Sequence, residues 1–506
     1  MNIAQNVTRG RAFFADRPAI LFEGRALSYR ELDETSNRAA NLLRALEIRR
    51  GDRVALYLPN IPEFAVAYLG VLKLGAIAVS INAIFKAQEV QFILNDSGAR
   101  LLFTVADLAV NLAGLDCPAL ERTIVCEGPA ASDHRLSALL EKASTDFRVA
   151  DMQQAEPALL LYTSGTTGFP KGATLSHGNV VSNTWSVVHH AGYRPEDRLC
   201  LFLPLFHVFG QNFIMNACFL SGATLVLHRR FHPETVVESI ARDRVSMFFG
   251  VPSIYVALLS LDLSPERLSS IRYWFSAAAT MPQEISRRWT ERFGRPIFEG
   301  YGLTETSPFA AYNHDFQHRF GSVGTAVENF EIRIVDDAGE EVPLGSLGEI
   351  AIKGPGVMLG YWNRPQDTLA AIRDGWFHSG DVGSMDEQGY VFIVDRVKDM
   401  INLSGFKVWP AEVEQLLYRH PAVREVAVYG VPDPLTGEAV AAAIVLRDGV
   451  AVTAQEIVDY CRVQAAVYKA PSRIDFVADL PKNPTGKILK RVLRERAAAP
   501  QTPALG

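Results

Sequence analysis

Short segments that are apolar at nearly every position recur through the first half of the chain: RVALYLP (53–59), GAIAVSIN, ARLLFTV, LLLYTS, RLCLFLP, ATLVLH and VSMFFGVP. A strand with one wet face alternates polar and apolar residues. A strand that is apolar throughout has to be covered on both faces. Helix-compatible stretches follow these segments, for example 62–73 and 87–96. That alternation predicts right-handed crossovers and an α/β fold of mainly parallel sheets flanked by helices. From about residue 330 the texture changes. EIRIVDDAGEEVPLGSLGEIAIKGP reads as short strands joined by Gly, Pro and Asp turns, a small antiparallel β unit. After YVFIVDRVKDMI an α+β pattern begins, with helices expected over 410–418 and 454–462 and strands at REVAVYGV, EAVAAAIVL and RIDFV. The expected division is a large N-terminal domain over 1–397, a small C-terminal domain over 398–497 and a disordered tail over 498–506. No Gly/Ser linker separates the domains, so the joint can be only one or two residues long.

The chain has 506 residues and 48% hydrophobic content, enough for more than one core. Its 50 Lys+Arg nearly balance 56 Asp+Glu, giving a net charge of −6, which argues against a nucleic-acid partner. The five cysteines, at 117, 126, 200, 218 and 461, form no CxxC pair and no zinc spacing, as expected of reduced thiols in a cytoplasmic protein. The N-terminus lacks the apolar stretch of a secretory signal. The longest apolar run, FAVAYLGVLKLGAIAVSINA, contains Lys73, Gly70 and Gly75. It reads as a buried helix followed by a buried strand, and no transmembrane segment is expected.

One stretch does not suit a core. TSGTTGFPKG, from Thr163 through Ser164, Gly165, Thr166, Thr167 and Gly168 to Lys171 and Gly172, concentrates glycines, hydroxyls and a lysine directly after an apolar strand. Glycines let backbone N–H groups turn towards an anion, hydroxyls add donors, and Lys171 adds charge. A phosphate-binding loop at a sheet edge fits this composition. Gly172 stands where the common NTPase loop needs Ser or Thr, so that motif is excluded.

Four further segments follow in order: EGYGLTET (299–306), WFHSGDVG (376–383), DRVKDMINLSGFKVWPAEVE (395–414) and PKNPTGK (481–487), with PLFHVFG (204–210) preceding them. With these motifs the chain resembles the adenylate-forming superfamily, in its acyl-CoA synthetase branch close to fatty-acid–CoA ligases. The resemblance implies a mobile C-terminal domain and two half-reactions. A carboxylic acid attacks the α-phosphate of ATP, with Mg²⁺, giving acyl-AMP and pyrophosphate. The thiol of coenzyme A then displaces AMP.

The resemblance also implies roles for particular residues. Lys487 is the adenylation lysine, offsetting the repulsion between two anionic reactants. Glu305 is the Mg²⁺ ligand, and Thr304 bonds the α-phosphate. The nucleotide site further comprises Thr163 to Gly168, Lys171, Ala278, Glu299, Gly300, Tyr301, Gly302, Asp381 and Arg396. Tyr301 stacks on adenine, while Asp381 and Arg396 hold the ribose. His207 stands beside the acyl carboxylate. The acyl pocket comprises His207, Val208, Phe209, Asn212, Phe249, Ala277 and Ala279, with Phe248 as a further bulky wall. Lys398 is the hinge, and Ser404, Gly405 and Phe406 face coenzyme A.

The sequence departs from the family in YWFSAAATMP, where Ala277, Ala278 and Ala279 occupy a segment usually rich in glycine. Added methyls take up space beside the acyl group. No arginine stands out as a clamp for a second carboxylate. The expected acid is therefore a mostly apolar monocarboxylate of short to medium length, aromatic acids included. No acidic residue lies near Phe202–Phe209 to receive a substrate amine, which disfavours amino acids. A carrier-protein thiol in place of coenzyme A and assembly as a homodimer both stay open. A dead homologue that only binds nucleotide is disfavoured by the presence of Lys487, Glu305 and Asp381.

Overall fold

The computed structural model describes residues 1–163 and 170–498, apart from the side chain of Val397. Ser164, Gly165, Thr166, Thr167, Gly168 and the residues after 498 lie outside the described residues. The expected tail boundary falls inside a helix, Lys490–Ala498.

Two large sheets carry the N-terminal part. In the first, Ile77–Ser80, Arg53–Tyr57, Leu101–Thr104 and Arg122–Val125 lie side by side as parallel strands, and Pro157–Thr163 joins them parallel to Ile77–Ser80. In the second, parallel pairing runs from Pro18–Phe22 through Thr224–Leu227, Arg198–Leu201, Met247–Gly250 and Tyr273–Ser276 to Ile297–Tyr301. The strands that read as apolar throughout are buried along nearly their whole length, as sheets sandwiched between helices require.

One expectation fails here. LLLYTS is followed by an antiparallel return strand, Lys171–Ser176, in register Thr163↔Lys171 and Leu161↔Ala173, and not by a helix. The first helix-start signal comes only at Ser176. Its Oγ accepts from the Asn179 N–H at 3.0 Å, and the Asn179 side chain accepts from the Ser176 N–H at 2.8 Å. This reciprocal cap starts the helix His177–His190. Segment 164–170 therefore joins two paired strands.

The antiparallel unit contains Glu331–Val335, Gly348–Lys353, Trp376–Met385 and Val391–Arg396. The small C-terminal domain pairs Val423–Asp433 with Gly437–Leu446, which runs parallel to Arg473–Phe476. Helices Pro410–Tyr418, Ala454–Gln464 and Lys490–Ala498 pack against them. The helix over 410–418 matches the expectation residue for residue.

Lys73 explains why the long apolar run is core. It lies in the helix Pro62–Leu74 with no exposed surface. Its ammonium donates to Asp33 Oδ1 and Asn37 Oδ1, both at 2.7 Å, and to the Asp33 carbonyl at 3.0 Å. Burial pushes the amine down to about 8, against the pull of Asp33. Inside a protein such a charge persists only when paired and hydrogen-bonded. Among the described residues, no helix is long and apolar enough to cross a membrane.

Candidate active site

The strand Ile297–Tyr301 delivers Glu299, Gly300 and Tyr301, and a 3₁₀ turn over Thr304–Thr306 follows. Two glycines here admit no substitution in place. A Cβ on Gly302 would stand 1.3 Å from the Pro308 carbonyl oxygen, and one on Gly300 would meet the Phe275 ring at 2.6 Å. The turn is pinned by Thr306, whose Oγ1 accepts from the Leu303 N–H at 2.9 Å and donates to the Pro308 carbonyl at 2.9 Å. Thr304 is left partly exposed and Glu305 is buried.

Glu305 Oε1 receives the Tyr361 hydroxyl at 2.9 Å and the Thr163 hydroxyl at 3.3 Å. Among the described residues, nothing hydrogen-bonds to its Oε2. One carboxylate with an oxygen that no described residue engages suits Mg²⁺, which completes its shell with phosphate oxygens and water. No cluster of three or more metal-ligating side chains occurs among the described residues, so a self-sufficient protein cage is not what this site offers.

Asp381 and Arg396 face each other across paired strands and form an ion pair at 3.0 Å. The Tyr301 hydroxyl donates to Asp381 Oδ2 at 2.7 Å. Tyr301 thus orients the carboxylate expected to take the ribose hydroxyls, a link the sequence does not display. The HSGD turn is held by Glu349, which accepts from the Gly380 N–H at 2.8 Å and contacts His378 Nδ1 at 2.9 Å. Glu299 is fully buried, and desolvation pushes its carboxyl up to about 8. Ala278 adopts φ +69°, a left-handed conformation that a side chain disfavours. The family's usual glycine suits that backbone without strain. Ala277 and Ala279 follow the strand Tyr273–Ser276 at its end.

Lys171, expected to face phosphate, forms a 2.5 Å ion pair with Asp367 and lies 5.4 Å from the centre of the Tyr361 ring.

Lys487 comes from the C-terminal domain. PKNPTGK closes on Asn483, whose Oδ1 accepts from Thr485 N–H at 3.0 Å, Thr485 Oγ1 at 2.7 Å and Lys487 N–H at 2.9 Å. Ser253 Oγ, on the N-terminal side, donates to the Gly486 carbonyl at 2.9 Å. The turn thereby brings Lys487 into the field of Arg396, Asp381 and Asp399. Burial first, then the like charge of Arg396, lower its amine to about 8. His207 is lowered to about 4 by burial first and then by the Lys487 charge. His207 Nδ1 accepts from the Phe209 N–H at 3.2 Å. A neutral imidazole with Nδ1 as acceptor carries its proton on Nε2.

Behind His207, aromatic rings from several elements converge. Residues Phe209–Asn216 form a π-helix. Within it, Phe213 stacks on Phe275 at 4.7 Å between centroids and meets Phe209, Phe249 and Phe309 at 5.3, 5.9 and 5.2 Å. Asn212 Oδ1 accepts from Asn216, which also donates to the Tyr68 hydroxyl at 2.8 Å. Val208 is buried beside them. Phe248 does not join this wall. It packs against Phe202, Tyr255 and Trp274 on the other face of the sheet, because successive residues of a strand point to opposite sides.

Ser404, Gly405 and Phe406 stand apart. Phe406 is 55% exposed and stacks on Tyr468 of the same domain, and a Cβ on Gly405 would meet nothing within 4 Å. Lys398 is exposed in the short 3₁₀ turn Val397–Asp399. Tyr361, Asn483, Ser253 and Glu349 were not foreseen. Only Ser253, one residue after a strand-to-helix Val-Pro step, occupies a place where α/β folds present side chains to a ligand.

An ordered nucleotide-type site with a lysine supplied from a second domain defines a class. Residues 8–362 match the AMP-binding enzyme family and residues 412–487 match the AMP-binding enzyme C-terminal domain. The chain therefore belongs to the AMP-binding enzyme family, in its acyl-CoA synthetase branch. It is 37% identical to a long-chain-fatty-acid–CoA ligase of Escherichia coli O6:H1, over 96% of this chain and 93% of that one. It is also 37% identical to a feruloyl-CoA synthase of an Amycolatopsis species, over 94% and 95%. Among solved structures it resembles an anthranilate CoA ligase in complex with anthranoyl-AMP, with a TM-score of 0.93 and 32% identity over 98% of this chain and 97% of that one.

Proposed function

We propose that this acyl-CoA synthetase activates an apolar monocarboxylate of short to medium length, aromatic acids included, and passes it to coenzyme A. In the first half-reaction a carboxylate oxygen bonds to the α-phosphorus of ATP and pyrophosphate leaves. In the second, the thiol sulfur bonds to the acyl carbon and AMP leaves. Lys487, on the docked turn, sets a cation between the two anionic reactants, where it lowers their repulsion as the new P–O bond forms. Thr304 and Lys171 bind phosphate oxygens, Asp381 and Arg396 fix the ribose, and Tyr301 orients Asp381. Ala278, Glu299, Gly300 and Gly302 shape the base pocket. Glu305 holds Mg²⁺, which when bound neutralises phosphate charge and eases departure of pyrophosphate. Neutral His207 offers its Nε2–H at the acyl carboxylate.

The observation that carries the choice of acid is the ring cluster around Phe213. Phe209, Phe213, Phe249, Phe275 and Phe309 are each no more than 5% exposed, so ring carbon fills the depth behind His207 in which a long acyl chain would lie. The relatives alone do not decide, since the fatty-acid and feruloyl enzymes are equally similar. The domain division at 397/398, with Lys398 as hinge, allows Lys487 to withdraw and Ser404–Phe406 to approach the acyl-AMP. We place the protein in the cytoplasm, where ATP and coenzyme A are both available.

A panel of acids scored by pyrophosphate release, with and without coenzyme A, tests this. Turnover is expected with acids of about C4–C10 or benzoate size; efficient turnover confined to C16–C18 acids would overturn the reading. Adding a phosphopantetheinylated carrier protein to the same panel tests the alternative acceptor, and light scattering on the purified protein tests for a homodimer.

A further inference from the structure

We propose that Tyr361 sets the metal preference of this site: its hydroxyl caps one oxygen of Glu305, so that the carboxylate can offer a cation only the other. The inference rests on Glu305 as the metal-holding residue. It concerns what the neighbouring phenol does to that carboxylate.

The geometry is specific. Two hydroxyls, from Tyr361 at 2.9 Å and Thr163 at 3.3 Å, converge on the same oxygen, Oε1, and no described residue hydrogen-bonds to Oε2. A carboxylate whose one oxygen is committed binds a cation through a single oxygen. That suits Mg²⁺, which demands a near-ideal octahedron at short distances. Ca²⁺ takes more ligands at longer range and readily accepts both oxygens of one carboxylate. The cap therefore works against the larger ion without touching it.

Tyr361 is held rigidly enough to act this way. Its backbone pairs with Ala173 of the return strand, and its N–H donates to Thr368 Oγ1 at 2.9 Å. Gly360 before it has φ +143°, and a Cβ there would strike Thr368 at 2.6 Å. The Lys171 ammonium sits 5.4 Å from the ring centre, which restrains the ring through a cation–π contact. One side chain thus touches both the expected metal ligand and the expected phosphate lysine.

The test is Tyr361→Phe, which removes the hydroxyl and keeps the ring beneath Lys171. Binding of ATP is measured by calorimetry with Mg²⁺, Mn²⁺ or Ca²⁺ and without acid, so that no turnover is needed. Pyrophosphate release is then measured with each ion. The expected result is a preference for Mg²⁺ over Ca²⁺ that shrinks by at least about fivefold in binding, with an unchanged melting temperature. Thr163→Val, which removes the weaker donor, is expected to move the ratio in the same direction by less. An unchanged ratio in both variants, while Glu305→Gln removes metal dependence, refutes the cap and leaves Glu305 as the ligand. Metal dependence that survives Glu305→Gln refutes the role of Glu305 itself.

Discussion

Lys487 has to be charged to do what is asked of it, yet its surroundings resist the charge. Desolvation and Arg396 lower its amine to about 8, more than Asp381 and Asp399 restore. The sign follows directly. Below about pH 8 the ammonium is present and, on the proposed role, adenylation is expected to proceed; as pH rises through that value the cation is lost. The kcat/KM for pyrophosphate release, which reports the free enzyme, should therefore fall about tenfold per pH unit above roughly pH 8. An ordinary lysine would hold its charge to about pH 10. His207, lowered to about 4, stays neutral throughout and should add no inflection between pH 5 and 9. Lys487→Arg, with a guanidinium that does not deprotonate, should flatten the alkaline fall even if it lowers the rate. Lys487→Ala should lose pyrophosphate exchange and retain transfer from preformed acyl-AMP. A profile that keeps its alkaline limb in Lys487→Arg would assign that limb to another group.

Met247–Gly250 shows what an element adds to its residues. The FF pair at 248 and 249 reads identically in sequence, and both residues were expected in the acyl wall. The strand is covered on both faces, so its pattern carries no period of two to tell them apart. In the fold Phe249 faces Phe213 and Phe275, while Phe248 faces Trp274 and Phe202. That contrast supplies a control. Phe213→Ala should open the depth behind His207 and move the best acid several carbons longer, with a stability loss of about 3–5 kcal/mol. Phe248→Leu should lower the melting temperature and leave the acid preference where it was. Chain-length profiles of the two variants, read beside their thermal melts, check the assignment; an equal shift in both would remove Phe213 from the pocket. The same logic explains what else was legible. Glycine and hydroxyl density sets Thr163–Gly172 apart from any core segment, while Ser164–Gly168 lie outside the described residues. Tyr361 went unseen because its partner Glu305 lies 56 residues away in sequence, and the contact exists only once Gly360–Tyr361 pairs with the return strand.

At the scale of the whole molecule, the two domains share a continuous apolar cluster, which takes in Val413 and Leu417 of the small domain, and they are also joined by polar contacts. Gln415 accepts from the Gln283 N–H at 2.9 Å and donates to the Met281 carbonyl at 3.3 Å, and Ser253 holds the Gly486 carbonyl. Motif order alone could not tell which face of the small domain is turned inward. The structure turns the Lys487 face inward and leaves Gly405 in the open. Two glycines test that separation. Gly486 has φ +86°, and a Cβ on it would stand 2.7 Å from Val251 and 3.0 Å from Ser253. Gly486→Ala should push the lysine turn off its seat, lowering pyrophosphate release by about tenfold or more while transfer from preformed acyl-AMP persists. Gly405 has φ +92° and open space around it. Gly405→Ala should leave pyrophosphate release nearly intact and slow the step with coenzyme A by a similar factor, since a methyl there matters only when that loop lines a narrow passage. Single-turnover rates of the two half-reactions measure both effects. Two substitutions that each damage one step and spare the other would mean that the faces act in turn; parallel losses in both steps would mean that a single arrangement serves both, with no rotation between them.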